Sequence, residues 1–427
     1  HATLTELGMR LWADDAAAAL AALGEPSGQP EAGELFDPSR PDFHADPYPF
    51  YHRLRTLDPV HRTRQGVWVL TRYDDVVAAL RDQRLGREGF EHLLAAAYGD
   101  DPDARVTRPM VFRDPPAHTR LRGLVSKAFT PRVAEAMRPH IQEIVDRLLQ
   151  RVRERGEMDV IADLAYPLPV TVICEMLGVP ASDHATVTQW SADITRSLDA
   201  LGQPSDREIV RRGRLARRAL ADYFRQLIPE RRRRRTADLL GHLIAVEEQG
   251  DQLTEDELLA TCVLLFIAGH ETTVNLIGNG LLALLRHPEQ LARLRDDPAL
   301  LPAAIEELLR YDSPVQRTAR IAKTEIELGG KVIPPGAMVV AALGAANRDP
   351  ERFPDPDRLQ IPRPDNDHLA FGVGIHFCLG APLARVEAAV ALGSVLERLP
   401  GLRLLDRTPE WRESSTLRGL KALPVAF

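Results

Sequence analysis

Thr254-Glu255-Asp256-Glu257 opens the longest unbroken helical pattern in this chain, and His287-Pro288 closes it. A threonine followed three residues later by glutamate is a capping box, in which side chains satisfy backbone donors that the first helical turn leaves unpaired. The helix predicted between these signals has about 33 residues and a length of roughly 50 Å, so it crosses a whole domain and the rest of the fold must be built around it. Its middle is apolar except for Ala268-Gly269-His270-Glu271-Thr272-Thr273, where burying polar groups is costly unless they are hydrogen-bonded. That placement points to function. A structural alternative also stands: Thr272 can donate back to the carbonyl of Ala268 and bend the helix. The most continuous apolar run, Leu258 to Gly269, is interrupted by Thr261 and is too short for a membrane span.

A second feature carries the chemistry. Phe371-Gly372-Val373-Gly374-Ile375-His376-Phe377-Cys378-Leu379-Gly380 presents one cysteine on a glycine-rich loop, and Ala381-Pro382 reads as the first turn of a helix running to about Leu396. Near a helix N-terminus, unpaired N–H groups and the dipole are expected to lower the thiol pKa and favour the metal-binding thiolate. With no second cysteine or histidine pair nearby, a closed tetrahedral zinc site cannot form, and an iron that brings its own macrocycle fits better. In isolation, a lone cysteine is more often a packed, inert thiol.

These residues resemble the haem-thiolate monooxygenases of the cytochrome P450 family, in its soluble bacterial branch. The loop follows that family's aromatic-Gly-x-Gly-x-His-x-Cys-x-Gly pattern without a gap. Three further motifs stand in family order: Ala268 to Thr273, Glu307-Leu308-Leu309-Arg310, and Pro350-Glu351-Arg352-Phe353. The resemblance runs from about Leu35 to Phe427 and implies a haem b held through Cys378, with Phe371, Gly372 and Gly380 shaping the loop around it. It implies that Ala268 and Gly269 line the distal side, with Gly269 keeping the helix thin there. Thr272 would offer a hydroxyl to the oxygen being activated, while Glu271 relays solvent protons. His118, Arg122, Arg320 and His376 would hold the two propionates. Glu307, Arg310 and Arg352 would form a buried charge network behind the cysteine loop. His270 is expected to be a packing or surface residue.

The implied fold is mainly α (α+β), a helical prism with a small β subdomain, and the residue patterns agree. Pro131 to Arg155, Arg207 to Arg235 and Glu289 to Arg310 read as amphipathic helices. Gly66 to Leu70, Glu325 to Leu328 and Lys331 to Ile333 read as β elements. Residues 1 to 33 are an Ala-rich extension without an assigned role, and 34 to 427 form a single domain.

Cys174 and Cys262 lie in apolar helical patterns, so the three cysteines suggest packing thiols and a ligand in a reducing compartment, without a disulfide framework. No signal peptide or anchor is evident, and a cytoplasmic monomer is expected. The net charge of -7 gives no reason to expect nucleic-acid binding, and the arginines from Arg211 to Arg218 and from Arg231 to Arg235 read as a solvated helix face. No flavin or nicotinamide fingerprint is present. By resemblance, electrons come from NAD(P)H through a ferredoxin reductase and a ferredoxin, which docks near Cys378. The substrate is expected to be a lipophilic small molecule met by segments near Leu85 to Ala104, Ser191 to Asp206, Phe266 to Ala268, Val315-Gln316 and Leu417. Phe90, Leu93, Leu94 and Leu198 are candidate contacts, and no charged anchor stands out. Fifty arginines against four lysines suggest a GC-rich bacterial genome and secondary metabolism. Two rival readings are a hydrogen-peroxide-driven peroxygenase and a non-catalytic haem-binding sensor.

Overall fold

A computed structural model describes residues 35–90, 108–197, 207–234, 236, 238–248, 253–406 and 408–427. The expected contacts Leu93, Leu94 and Leu198, and the extension 1–33, lie outside the described residues.

The central helix spans Glu255–Arg286, 32 residues, and both halves of its capping box are made: Thr254 N donates to Glu257 at 3.0 Å, and Glu257 N donates to the Thr254 hydroxyl at 3.2 Å. It is the axle of the domain. The helices Pro167–Met176, Arg207–Arg233, Leu301–Tyr311 and Ala381–Arg398 all pack against it. By length and composition it is apolar enough to cross a membrane, because the apolar pattern resumes beyond the polar cluster and outlasts the run from Leu258 to Gly269. Yet 72% of its most apolar window is buried inside the protein, which is how the core helix of a folded domain behaves.

Around this axle the expected helices form with two corrections. Pro131 to Arg155 divides into Pro131–Ala136 and Arg138–Val152, with Pro139 opening the second helix. Glu289 to Arg310 divides into Pro288–Asp296 and Leu301–Tyr311, because Pro298 follows Asp297, whose carboxylate accepts from Ala299 N at 3.2 Å and caps a new turn.

The strands gather beside the helices. The main sheet runs in the order Val60–Arg62, Trp68–Leu70, Met338–Ala341, Thr318–Ala322, Leu85–Gly86. Ile326–Leu328 pairs antiparallel with Lys331–Ile333, with Ile326 opposite Ile333. Gly329 and Gly330 turn that hairpin with φ of +54° and +74°, the left-handed pair a two-residue loop needs. A third sheet ties Pro424–Ala426 near the C-terminus to Glu157–Asp159 and Arg403–Leu404.

The charge network behind the cysteine loop differs from the sequence expectation. Glu307 and Arg310 are fully buried and joined at 2.7 Å, as expected, but the third member is Arg363, whose Nε donates to Glu307 at 3.0 Å. Arg352 instead meets Asp367 at 2.7 Å, with its side chain 30% exposed and that of Asp367 78% exposed. The reason is chain path: Arg352 sits in a turn at the surface, and the irregular return through Ile361-Pro362-Arg363 carries the inner guanidinium. Backbone groups complete the network. Gln360 N donates to Glu307 at 3.0 Å, and Arg310 donates to the carbonyls of Asn347 and Pro356.

Candidate active site

Cys378 lies on a loop whose backbone is pinned at both ends. Its N–H donates to the carbonyl of Phe371 at 2.9 Å, and the helix Ala381–Arg398 starts three residues later with Pro382 in its first turn. Gly372 and Gly374 have φ of +68° and +79°, which favours glycine, and a Cβ on Gly374 would lie 2.8 Å from the carbonyl oxygen of Leu80. Gly380 differs. Its backbone is ordinary, and the nearest atom to a Cβ there would be the Cys378 sulfur at 4.0 Å.

The thiol behaves differently from its helix position alone. Burial raises its pKa and outweighs the opposing pulls of the Gly380 and Ala381 N–H groups and of Arg122 and Arg385. The donors that favour an anion are in place, but a free thiol in this dry setting stays protonated. At Cys174 and Cys262 burial dominates and pushes both up to about 12, with only its own N–H opposing the rise at Cys262.

Beside the loop, positive charge is concentrated where protein alone does not balance it. His118, Arg122, Arg320 and His376 come together, as the sequence predicted, and Arg87 joins them from the strand-end segment after Leu85–Gly86. The rings of His118 and His376 stand 4.2 Å apart. His376 is pushed down to about 2, first by burial and then by Arg87, Arg320, His118 and Arg122. Arg320 is pushed down to about 10 by burial, and Arg87 falls well below the usual guanidinium range for the same reason. Asp114 is the acid nearest to this group, and Lys323 shares it at 3.1 Å. His118 Nδ1 and Arg87 Nε are buried with no hydrogen-bond partner. Such a set suits a ligand bearing two carboxylates. Two propionates on an iron porphyrin would meet that description, and Cys378, which lines the same cavity, would offer its iron a sulfur ligand. Among the described residues no group of three or more His, Cys, Asp or Glu side chains could hold a metal ion by itself.

The cavity between these groups has a volume of about 280 Å³, and the central helix forms its far wall through Leu264, Ala268, Gly269, Thr272 and Thr273. A second chamber of about 310 Å³ shares Arg87, Val111, Leu264, Ala268, Thr272 and Thr318 with the first, so the two are continuous. Thr272 makes the back-bond to Ala268 O at 3.3 Å while lining both chambers. Gly269 has a packing role as well as a lining one: a Cβ there would come within 2.9 Å of Ile173 on the neighbouring helix. Glu271 is buried and ion-paired with Arg412. His270 is fully buried, its Nδ1 against the carbonyl of Phe266 at 2.9 Å, and burial pushes it down to about 4, so it is a packing residue.

Arg412 belongs to the C-terminal hairpin between Trp411 and Leu420. Its N–H donates to Gly419 O at 2.9 Å and its Nε to Leu420 O at 3.2 Å, while Thr416 and Leu417 at the hairpin tip line the second chamber. Phe90 and Leu417 reach that chamber as expected, as do Ile194 and Thr195 of the segment after Ser191, and Val315 lines the first. Phe266 points away from it into a ring cluster with Phe224 and His270. Gln316 turns inward to Ser313 O and Tyr48.

Sequence reasoning missed Arg87, Arg363, Arg412 and Glu387. Glu387 lies on the face of the cysteine helix that lines the first chamber, among apolar neighbours, and an acid in that company was the available signal. Its oxygens have no partner of good geometry, and burial pushes it up to about 8 against a weaker pull from the Thr273 hydroxyl. The folded protein therefore keeps this proton between the ordinary 4.5 and about 8, where the unfolded chain has released it. Its contribution to stability is present at the acid end and lost as pH rises through that window. Urea midpoints measured at both ends should show a smaller decline in Glu387→Gln than in the parent.

The comparisons agree with this geometry. The family model described as Cytochrome P450 matches residues 58–400. The chain is 46% identical over 399 residues to Cytochrome P450 107B1 of Saccharopolyspora erythraea, covering 90% of this chain and 95% of that protein. It is 43% identical over 397 residues to 6-deoxyerythronolide B hydroxylase of the same organism, covering 90% and 96%. The crystal structure of CalO2 superposes with a TM-score of 0.86 at 40% identity, covering 92% of this chain and 98% of that one. The chain belongs to the cytochrome P450 family. It is a monooxygenase with the P450 fold, inserting one oxygen atom of O2 into a lipophilic small molecule.

Proposed function

We propose that Cys378 would hold the iron of a haem b, with Arg87, Arg122 and Arg320 meeting its propionates by charge and His118 and His376 by hydrogen bonds. The observation that carries this reading is a set of basic side chains, Arg87, Arg122 and Arg320 with His118 and His376, lining the same cavity as a lone cysteine on a helix-capping loop. When bound, the haem supplies the oxygen chemistry, with thiolate donation favouring cleavage of the O–O bond. The chain's residues position the substrate and handle protons. Thr272 sets a hydroxyl on the wall shared by both chambers, and Glu271 draws protons from the side of the C-terminal hairpin. An acid beside an alcohol is the pair that timed proton delivery needs.

Thr272→Ala keeps haem and substrate binding but lowers the product formed per reducing equivalent by about tenfold or more, with peroxide or water replacing product. Product and peroxide measured against NAD(P)H consumed check this, and unchanged coupling removes the role. The same pair favours O2 over hydrogen peroxide as oxidant. Electrons reach the site from NAD(P)H through a reductase and a ferredoxin at the face around Cys378, where Ile375 and Phe377 are exposed and Arg122 adds positive charge. The relative named as a 6-deoxyerythronolide B hydroxylase supports a place in bacterial secondary metabolism, in the cytoplasm.

A further inference from the structure

Glu306 and Glu307 are consecutive on the helix Leu301–Tyr311, so their side chains leave it roughly 100° apart and meet different partners. Glu307 turns into the buried network of Arg310 and Arg363. Glu306 crosses instead to the cysteine helix, where Arg385 grips it with two parallel bonds, Nε to Oε1 at 2.7 Å and Nη2 to Oε2 at 2.8 Å. His368 completes the group. The Ala370 N–H donates to its Nδ1 at 3.2 Å, which leaves Nε2 to donate to Glu306 Oε2 at 3.0 Å. Burial works against the Glu306 anion, but the bonds from Arg385 and His368 outweigh it and hold its pKa down to about 2.

This pair turns its positive member toward the sulfur. Arg385 lies on the second turn of the helix Ala381–Arg398, and helical side chains lean toward the N-terminus, so the guanidinium reaches back over the cysteine loop. Its Cζ stands 4.6 Å from the centre of the Phe371 ring, and the carbonyl of Phe371 is the one that accepts the Cys378 N–H at 2.9 Å. From there the guanidinium favours an anionic Cys378, and the Cys378 anion in turn favours the charged guanidinium. Reducing a ferric centre by one electron adds a negative charge to its site, so a fixed cation beside the sulfur favours the reduced form.

We propose that Arg385, clamped over Phe371 by Glu306 and His368, is a positioning residue that sets how readily the haem bound at Cys378 accepts an electron from a reduced ferredoxin. One electron leaves the ferredoxin, which is oxidised, and ferric iron becomes ferrous. No bond of the chain breaks and no proton of the clamp moves. Glu306 has two effects in this arrangement: it holds the guanidinium in place and it offsets part of its charge. This inference rests on the haem-thiolate reading above and adds a control over its first reduction.

The test uses the haem-loaded full chain, after a ferrous carbon monoxide spectrum has established thiolate ligation. Parent and variants are titrated with dithionite in the presence of mediator dyes while the Soret band reports the ferric and ferrous fractions. Arg385→Leu should shift that equilibrium about tenfold toward ferric iron, which is a potential lower by about 59 mV for one electron. Glu306→Gln removes the anion, leaves the guanidinium, and should shift it toward ferrous iron. Arg385→Lys should stay nearer the parent than Arg385→Leu does. Opposite signs distinguish a charge effect from a loosened loop, which would move Arg385→Leu and Glu306→Gln the same way. Any result other than shifts of opposite sign in these two overturns the proposal. Should Arg385→Leu fail to retain haem, Arg385→Gln carries the same expectation and the same refutation. Such a failure, with the thiolate band intact in the parent, leaves the haem-thiolate reading standing, whereas a parent without that band defeats the reading itself.

Discussion

Cys378→His abolishes the long-wavelength Soret band of the ferrous carbon monoxide complex and reduces monooxygenation to background. The substitution puts a neutral imidazole where the Gly380 and Ala381 N–H groups, with Arg122 and Arg385, are arranged to favour an anion. It also removes the electron donation by which a thiolate favours O–O cleavage. The control is provided within the chain. Cys174→Ala and Cys262→Ala remove thiols that are buried among apolar side chains and should leave the band unchanged. Retention of the band in Cys378→His would assign the ligand elsewhere.

Glu307→Ala produces the largest loss of stability. It strands two guanidinium groups, Arg310 and Arg363, in a fully buried site, and breaking a buried ion pair from one side costs about 3–5 kcal/mol. That is a large share of the roughly 5–15 kcal/mol by which domains are stable, so the expected result is little soluble, haem-loaded protein. Arg363→Ala should approach the same loss. Arg352→Ala should stay within about 0.5 kcal/mol, because its partner Asp367 is mostly in water. Urea midpoints and the yield of haem-loaded protein give the order directly, and a larger effect at Arg352 than at Arg363 would reinstate the sequence-based network.

Local chemistry was legible wherever a motif fixes its own geometry. The capping box at Thr254, the paired glycines of the hairpin at Gly329-Gly330 and the loop from Phe371 to Gly380 depend on residues within a few positions of each other, and each forms as read. The Glu307-Arg310 pair was also readable, because three residues on a helix share a face. What failed depends on the path of the chain between distant segments. Arg352 and Arg363 are eleven positions apart on one irregular return, and nothing local says which of them turns inward. Arg87 enters the cavity, and Arg412 grips Glu271, from segments far from the motifs they serve. Arg217, which lines the second chamber, was misread because a helix rich in arginine looks uniformly solvated until its inward stripe is counted against its neighbours. The Cys378 thiol illustrates a different limit: helix position gives the sign of one electrostatic contribution, but the depth of burial, which only the folded chain reveals, decides the sum.

The hairpin from Trp411 to Leu420 has a cost for anyone retooling this enzyme. One end of it grips the acid on the central helix, and its tip touches whatever cargo fills the second chamber, with only a few stiffly bonded residues between. Reshaping Thr416 or Leu417 to admit a new compound therefore also disturbs the grip on that acid. Variants chosen at the tip for tighter binding should be screened for wasted electrons as well, since selectivity and efficiency here share a single piece of backbone.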